Sequence, residues 1–499
     1  MSPCARRVLP HPPAALGGLL LVVGLALTLA MTFAVAHAAA EPSPAALRRT
    51  LEPIISRREL ASASWGIEVR SLKSGRALYQ HDERRALRPA STLKLVTTAA
   101  ALDVLGETAR VRTTLETAGR QDGLGRILGD VYLVGRGDPT LSAHVRPGSS
   151  KTAFDELADA LVAAGVRRIE GRLIGHEGAF SGDRQGHDWT WEDLVWGFGA
   201  EVSALSWNAG VVEARLLPGE RVGDPAQLDV WPATPLLPFV STVSTSDAGT
   251  PEDLVLKKEP GSSRVVLSGR LPQGGGWSGR LAVPDPARYA TNAFAALLQA
   301  RGIQVGGDVV TSRDPLPSAL RVLAAHESET LAEIVREVNK ESQNTYAEAL
   351  LRLVGLRANG SGSVEGGRTA TLEMLARLGV PSEGWVISDG CGLARSDLVT
   401  ASGLAVLLVA MDRHPHADAF RASLPVAGVD GTLGRRLLGV RGRIVAKTGT
   451  LAETSALAGY LTTASGDRVA FAILLDNHAG GVREAQAAID AVALALAAQ

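Results

Sequence analysis

Cysteine and lysine are both scarce in this chain of 499 residues. Cys4 lies in an apolar N-terminal segment and Cys391 stands alone in the remainder. No intramolecular disulfide is therefore possible outside that segment, and stability must come from a packed core. Lysine occurs at only seven positions (73, 94, 151, 257, 258, 340 and 447), although Lys and Arg together number 51. Lysine is thus not the default surface cation here, and each lysine is a candidate for a specific role.

An excess of charge of either sign is also absent. The 51 basic and 52 acidic residues give a net charge of −1, which predicts no nucleic-acid partner. The ten histidines have no metal-binding spacing and no Gly-x-Ser-x-Gly motif occurs, so metallopeptidase and α/β-hydrolase mechanisms lack support. We predict no metal and no cofactor. The hydrophobic content of 45% suffices, at this length, for at least two cored domains.

The N-terminal segment is predicted to be an export signal. Arg6 and Arg7 precede an apolar run over residues 14–35, which ends in AVAHAAAEP. Within it Ala36-His37-Ala38 fits a small-x-small cleavage pattern. We therefore expect a signal peptide over residues 1–38 and a periplasmic or other cell-envelope location, peripheral to the membrane at most. The alternative is an uncleaved anchor, because the run is long enough to cross a bilayer.

The stretch RPASTLKLVTTAAALDVLG (88–106) contains the first candidate site. Its apolar residues predict a buried helix that ends at Gly106. Ser91 and Lys94 are three positions apart and would share one helix face. Burial and the positive helix end favour the neutral amine of Lys94, which could then take the proton of the Ser91 hydroxyl. The alternative is a capping serine and a lysine that reaches the surface.

The stretch ETLAEIVREVNKESQNTYAEALLR (329–352) contains Ser342-Gln343-Asn344. Apolar residues at helical spacing on both sides place this triplet at a junction between two helices. A hydroxyl and an amide two residues apart on a short turn can face one cavity. Taken alone, the triplet could equally be a simple helix cap.

The stretch GRIVAKTGTLAETSALAGYL (442–461) contains Lys447-Thr448-Gly449-Thr450. Residues 443–446 are predicted to form a strand, so that Lys447 ends or edges it. The hairpin continues through 456–461 and, after a Ser-Gly-Asp turn, through 469–475. Gly449 would let backbone or ligand approach closely. The alternative is a solvent-facing lysine that protects an edge strand from aggregation.

Ser-x-x-Lys, Ser-x-Asn and Lys-Thr-Gly, in this order, form the motif set of serine penicillin-recognising enzymes. The chain resembles the penicillin-binding proteins, most closely the class C low-molecular-mass group of D-alanyl-D-alanine carboxypeptidase/endopeptidases. The resemblance implies an α+β, penicillin-binding/β-lactamase-like transpeptidase fold, in which helices flank an antiparallel sheet. Further stretches similar to that family are GDVYLVGRGDPTLS (129–142), TWEDLVWGFGAEVSALSWN (190–208), VPDPARYA (283–290) and DGCGLARSDLVT (389–400).

The spacing of the motifs predicts a large insertion. The interval from Ser91 to Ser342 is more than twice that from Ser342 to Lys447. The chain resembles the class C members in this respect, since they have nested insertions in the same place. Residues 113–284 contain many short strand-like runs with Gly and Pro, so we expect one or two inserted β-rich domains there. The catalytic domain would then combine residues 45–112 with residues 285–499.

The resemblance implies a role for each motif residue. Ser91 would be the acylated nucleophile, Lys94 its base, and Ser342 the group that passes a proton to the leaving group.

A second set of residues would bind substrate. Asn344 would bind the peptide amide, and Lys447 and Thr448 the terminal carboxylate. Gly449 would allow close approach, and the backbone N–H groups of Ser91 and Thr450 would form the oxyanion hole.

These roles imply an exported hydrolase that trims or cleaves peptidoglycan stem peptides after D-alanine, with β-lactams as covalent inhibitors. The loop DGCGLAR (389–395) is expected to shape the site. Cys391 is expected to be a small buried residue, and the alternative is a reactive thiol near the site. The alternatives are a β-lactamase or esterase on the same fold, and a catalytically silent peptidoglycan-binding module.

Overall fold

A computed structural model describes residues 43–145, 149–259 and 261–499. The predicted signal peptide over residues 1–38 lies outside these residues. Among the helices described, none combines the length and the apolar character needed to cross a membrane.

The described residues form ten α-helices and 21 strands. The helices are α1 (Pro44–Ile55), α2 (Lys94–Leu105), α3 (Ala153–Ala163), α4 (Pro286–Ala300), α5 (Leu331–Lys340), α6 (Asn344–Asn359), α7 (Val364–Arg377), α8 (Ala401–Asp412), α9 (Ala417–Ser423) and α10 (Val482–Ala497). The strands are β1 (Ser64–Ser71), β2 (Ala77–His81), β3 (Arg112–Thr117), β4 (Arg120–Gln121), β5 (Arg126–Leu128), β6 (Val131–Val134), β7 (Arg168–Ile169), β8 (Leu173–His176), β9 (Val211–Leu217), β10 (Gln227–Trp231), β11 (Phe239–Ser241), β12 (Ser244–Ser246), β13 (Asp253–Lys258), β14 (Val265–Pro272), β15 (Trp277–Ala282), β16 (Gln304–Val305), β17 (Val309–Ser312), β18 (Arg321–Glu327), β19 (Ile444–Leu451), β20 (Thr454–Thr462) and β21 (Arg468–Asp476).

A five-stranded antiparallel sheet in the order β19-β20-β21-β1-β2 forms the centre of the catalytic domain. The two parts of the catalytic domain that flank the insertion meet here, because β1 pairs with β21 along its full length, from Ser64 opposite Asp476 to Ser71 opposite Val469. The predicted hairpins are present with small shifts of their limits. Strand β19 extends through Lys447 to Leu451, so this lysine lies within the edge strand and not at its end.

Helices cover both faces of this sheet. One core unites the apolar faces of α1 and α10 with one sheet face, including Ile67, Leu457 and Phe471. The other core unites α2, α5, α6 and α8 with the opposite face, including Ala458 and Ala472. Successive strand residues point to opposite faces, so an almost wholly buried strand such as β20 contributes to both cores. This is the predicted antiparallel sheet flanked by helices.

Helix α2 is buried nearly all round, because all nine residues from Lys94 to Leu102 are buried. It ends as expected at Gly106, which closes the helix with a positive φ of 81°. The helix passes through the core beneath the sheet. A polar side chain at its start is therefore held away from water.

The segment between β3 and β18 leaves and re-enters the catalytic domain side by side. These two strands are antiparallel neighbours, with Arg112 opposite Glu327. At the crossing, the Val111 N–H donates to Ser328 Oγ at 2.8 Å and the Ser328 N–H donates to the Val111 carbonyl at 2.9 Å.

The inserted segment contains two cores of its own. One is β-rich and joins β9, β14 and β15 around Val212, Leu267 and Leu281. The other is mixed and joins α3 and α4 to β3 and β6, with Phe294 and Leu298 of α4 fully buried in it. Helix α4 and β18 lie beyond the expected limit at residue 284 yet complete this mixed core, since their apolar side chains face it. We therefore propose that the insertion spans residues 112–327.

Candidate active site

Ser91 and Lys94 meet at the start of α2. A short 3-10 turn (Ala90–Leu93) precedes the helix, and Lys94 Nζ lies 2.9 Å from Ser91 Oγ. Lys94 is completely buried. Burial lowers the pKa of its amine, against the opposing effect of nearby Asp389 and Glu348. Lowering the pKa increases the fraction of neutral amine, the form that can accept a proton from a hydroxyl.

Two further acceptors complete the surroundings of Lys94. Its Nζ donates to Asn344 Oδ1 at 2.7 Å and to the Cys391 carbonyl at 2.7 Å. Asn344 Nδ2 in turn donates to the Phe198 carbonyl at 2.8 Å. The Asn344 side chain therefore has a defined orientation, with its oxygen toward Lys94 and its nitrogen toward the insertion.

Ser342 lies between α5 and α6, as predicted for a helix junction. Its φ is +59°, a conformation that non-glycine residues rarely adopt outside functional sites. Lys447 Nζ donates to Ser342 Oγ at 2.9 Å and to the Thr448 carbonyl at 2.9 Å. Lys447 is completely buried, and its pKa lies well below the usual value because of burial and of the nearby Lys94.

Strand β19 runs directly past the turn that carries Ser91. A Cβ at Gly449 would lie 2.7 Å from the Pro89 carbonyl oxygen and 3.1 Å from the Ser91 nitrogen. Only glycine allows strand and turn to approach this closely. Thr448 Oγ1 bonds to Thr432 Oγ1 at 2.7 Å.

Thr450 follows on the same strand and lines a cleft together with Ser91. The cleft has a volume of about 490 Å³ and is open to solvent. All the residues predicted for the site thus converge in one region. The alternative in which Lys447 faces solvent is excluded by its burial.

The loop 389–397 closes the site behind Lys94. Asp389 accepts hydrogen bonds from four successive backbone N–H groups, those of residues 391–394. Trp189 Nε1 of the insertion adds a fifth at 2.9 Å. Burial and the Asp389 carboxylate raise the pKa of Asp397 well above its usual value, which favours the neutral form of Asp397 beside Asp389. The Asp389 interactions fix the Cys391 carbonyl that holds Lys94.

Cys391 itself is fully buried, as the sequence predicts. Burial raises the pKa of its thiol well above the ordinary value. Its side chain therefore remains a neutral thiol, and only its backbone carbonyl contacts Lys94.

The sequence analysis missed several residues in the cleft wall. Asp193 and Phe198 of the insertion line the cleft, as does Arg395 of the loop. Arg395 donates to Asp193 at 2.7 Å and so joins the loop to the insertion along the cleft wall. All three lie within stretches that resemble the family, TWEDLVWGFG and DGCGLAR, so the family likeness was an available indication.

The chain matches known proteins over most of its length. The model of the D-Ala-D-Ala carboxypeptidase 3 (S13) family matches residues 47–498. The chain is 35% identical over 466 residues to a D-alanyl-D-alanine carboxypeptidase of Actinomadura sp. (strain R39), covering 90% of this chain and 84% of the relative. It is 25% identical over 430 residues to D-alanyl-D-alanine carboxypeptidase DacB of Haemophilus influenzae, covering 84% and 87%.

The fold is likewise similar to solved structures. The crystal structure of penicillin binding protein 4 (dacB) from Haemophilus influenzae superimposes with a TM-score of 0.77 at 25% identity, covering 89% of this chain and 97% of that one. Bd3459, a predatory peptidoglycan endopeptidase from Bdellovibrio bacteriovorus, shares the fold with a TM-score of 0.50 at 15% identity. The predicted family and fold are confirmed: the chain belongs to the D-Ala-D-Ala carboxypeptidase 3 (S13) family of serine-type peptidases and has the penicillin-binding transpeptidase fold.

Proposed function

We propose that this chain hydrolyses the bond after D-alanine in peptidoglycan stem peptides through an acyl-enzyme on Ser91. The observation that carries the proposal is the contact of 2.9 Å between the Nζ of the fully buried Lys94 and Ser91 Oγ. A lysine without water contact has a lowered pKa, and its neutral amine can remove the serine proton as the oxygen attacks the carbonyl carbon.

The remaining residues supply the other steps. The backbone N–H groups of Ser91 and Thr450 stabilise the oxyanion, each donor contributing about 3 kcal/mol in the transition state. Ser342 returns the proton to the leaving amine, whose bond to the carbonyl then breaks. Water subsequently cleaves the ester and releases Ser91.

The carboxylate of the terminal D-alanine binds at the Lys447 and Thr448 end of the cleft. Lys447 donates to Ser342 in the free protein, so charge on its amine affects the same serine that transfers the proton. An arriving carboxylate raises the pKa of Lys447 and favours its protonated form.

The site of action follows from the substrate. Peptidoglycan lies outside the cytoplasmic membrane, and the N-terminal segment 1–38 has the pattern of a cleaved export signal. We therefore place the mature enzyme in the periplasm or elsewhere in the cell envelope. β-Lactams carry a strained amide and a carboxylate, so they acylate Ser91 in place of the peptide.

Covalent labelling tests the nucleophile. The purified mature protein is incubated with a fluorescent penicillin, digested and mapped by mass spectrometry. We expect the label on Ser91 and none in Ser91→Ala, whereas Ser423→Ala, a buried serine outside the site, should label normally. A label on another residue, or none at all, would overturn the assignment.

Product analysis tests the reaction. Uncross-linked and cross-linked muropeptides are incubated with the enzyme, and the products are identified by mass. Loss of one alanine from the uncross-linked pentapeptide is expected. If rapid penicillin turnover occurs without peptide cleavage, the protein is a β-lactamase; if acylation occurs without turnover of either compound, it is a silent binding module.

A further inference from the structure

The neutral amine of Lys94 has two hydrogens and one lone pair, and its neighbours determine where each of them points. Asn344 Oδ1 and the Cys391 carbonyl oxygen each lie 2.7 Å from Nζ, and both atoms can only accept hydrogen bonds. They therefore take both hydrogens of the neutral amine. The remaining direction faces Ser91 Oγ at 2.9 Å, so the lone pair lies where the serine hydroxyl can donate its proton.

The residue before Cys391 is held on both sides. The Gly390 N–H donates to Glu348 Oε1 at 2.5 Å, and the Gly390 carbonyl accepts from Thr97 Oγ1 at 2.6 Å. Gly390 also rests directly on α6, since a Cβ there would lie 2.8 Å from the Ala347 carbonyl oxygen. The backbone that leads into Cys391 therefore has a fixed position.

Glu348 is a buried carboxylate that the proposed mechanism does not use. It is fully buried on α6, as is Arg352 one turn later. Arg352 Nη1 donates to Glu348 Oε2 at 2.9 Å, and Arg352 Nη2 donates to the Asp183 carbonyl of the insertion at 3.2 Å. Burial and the nearby Asp389 raise the pKa of Glu348, against the opposing effect of Arg352 and of the Gly390 N–H. With a donor at each oxygen, Glu348 has the partners of an ionised carboxylate.

A carboxylate and an arginine four residues apart on a helix often form no more than a stabilising ion pair. A fully buried pair, however, costs much desolvation, and apolar residues of similar size often stabilise a fold as well or better. Stability therefore gives no reason to place Glu348 and Arg352 beneath the site. The contact with Gly390 gives one, because an apolar side chain cannot accept that N–H.

We propose that Glu348 is a positioning residue for acylation, which acts through the Cys391 carbonyl on the direction of the Lys94 lone pair. Arg352 keeps the carboxylate turned toward the loop 389–397. The inference rests on the proposed function, in which Lys94 is the base. Glu348 is not among the residues that line the cleft, so it should affect the chemical step and not the binding of the substrate.

The test separates the binding of penicillin from the acylation step in the full mature chain. Stopped-flow kinetics with a fluorescent penicillin give the dissociation constant of the non-covalent complex and the rate constant of acylation. In Glu348→Gln the amide oxygen should turn to Arg352, because hydrogen bonds to a charged donor are stronger, and the amide NH2 then opposes the Gly390 N–H. We expect the acylation rate constant to fall about tenfold or more, and the dissociation constant to change by less than about twofold.

The double variant Glu348→Met/Arg352→Met separates positioning from stability. It replaces the buried pair by apolar side chains, so the protein should melt cooperatively at a temperature close to that of the wild type. Acylation should nevertheless remain slow, because the Gly390 N–H has lost its acceptor. Asp490→Asn is the control, since it removes the partner of Arg436 in another ion pair of the catalytic domain, at 2.7 Å, and should be acylated normally.

Three results would overturn the positioning role of Glu348. They are a wild-type acylation rate constant in either folded variant, weaker binding with an unchanged acylation rate constant, and failure of both variants to fold, which would make the pair structural. Each leaves the proposed function standing as long as the wild type is labelled on Ser91. A wild type that is not acylated would instead overturn the proposed function.

Discussion

The substitution Lys94→Arg tests whether this lysine is the base. Arginine keeps the positive charge but cannot lose its proton in a protein. If the neutral amine of Lys94 activates Ser91, the variant should lose acylation although its charge is unchanged. If Lys94 only stabilises charge in the site, most of the acylation rate should survive.

The structure sets the size of the expected effect. General-base catalysis contributes about 10²–10⁴-fold, or about 3–5 kcal/mol of activation free energy. Arginine must also fit in a completely buried position whose present amine contacts three oxygens at 2.7–2.9 Å. Overpacking of this kind costs about 1–3 kcal/mol of stability, which is less than the whole stability of a typical domain. The variant should therefore fold and be inactive.

The assay measures the second-order rate of acylation by fluorescent penicillin, together with the melting temperature by circular dichroism. Lys340→Arg is the matched control, because Lys340 is also buried but uses its charge in an ion pair with Asp430 at 2.6 Å, which arginine can retain. In the wild type, acylation should rise with pH as Lys94 loses its proton, at a pH below the usual lysine pKa. Near-native acylation by a cooperatively folded Lys94→Arg variant would refute the base role.

Three further changes have defined outcomes. Asp397→Asn should become more stable relative to wild type as pH rises above about 4, the carboxyl pKa of the unfolded chain. Above that pH the wild type loses stability, because Asp397 ionises in the unfolded chain but has a raised pKa in the folded protein beside Asp389. Melting temperatures from pH 3 to 8 test this, and an advantage of the variant that is largest at pH 3 would contradict it. Gly449→Ala would bring a methyl group within 2.7 Å of the Pro89 carbonyl and displace the turn that carries the nucleophile. The acylation rate should therefore fall about a hundredfold. An unchanged rate would show that the close approach of strand and turn is not needed for acylation. Trp189→Phe removes the hydrogen bond of 2.9 Å to Asp389 and should lower the unfolding free energy by about 1–3 kcal/mol and slow acylation. Denaturant titration measures the stability, and penicillin kinetics measure the acylation rate. A change in stability without a change in rate would mean that the insertion does not help to position the loop.

Features of this protein that depend on local spacing could be predicted from the amino-acid sequence. Ser91 and Lys94 are three residues apart in a helical stretch, so their contact follows from the geometry of one turn. The same holds for Ser342 and Asn344 at the junction of α5 and α6, and for the hairpins of β19–β21. The order of the three motifs then indicated the family, which the comparisons confirm.

Other features could not be predicted because they depend on contacts between distant segments. Lys94 meets Asn344 across 250 positions of the chain and the Cys391 carbonyl across 297. The pattern of residues 285–327 does not distinguish the catalytic domain from the insertion, since buried apolar faces look alike in either core. Our proposal that they belong to the insertion rests on the packing of α4 and β18 against β3 and α3.

The contribution of the insertion to the site is visible only in the folded protein. Trp189 and Phe198 lie in a stretch without regular periodicity, and nothing in their spacing predicts contacts with Asp389 and Asn344. Phe198 of this stretch lines the cleft together with Ser91, although the two residues are far apart in the sequence. Local hydrogen bonding and hydrophobic periodicity act between near neighbours in the sequence. The burial that lowers the pKa of Lys94 instead requires the core, the Ser-x-Asn turn and the 389–397 loop to assemble around one amine.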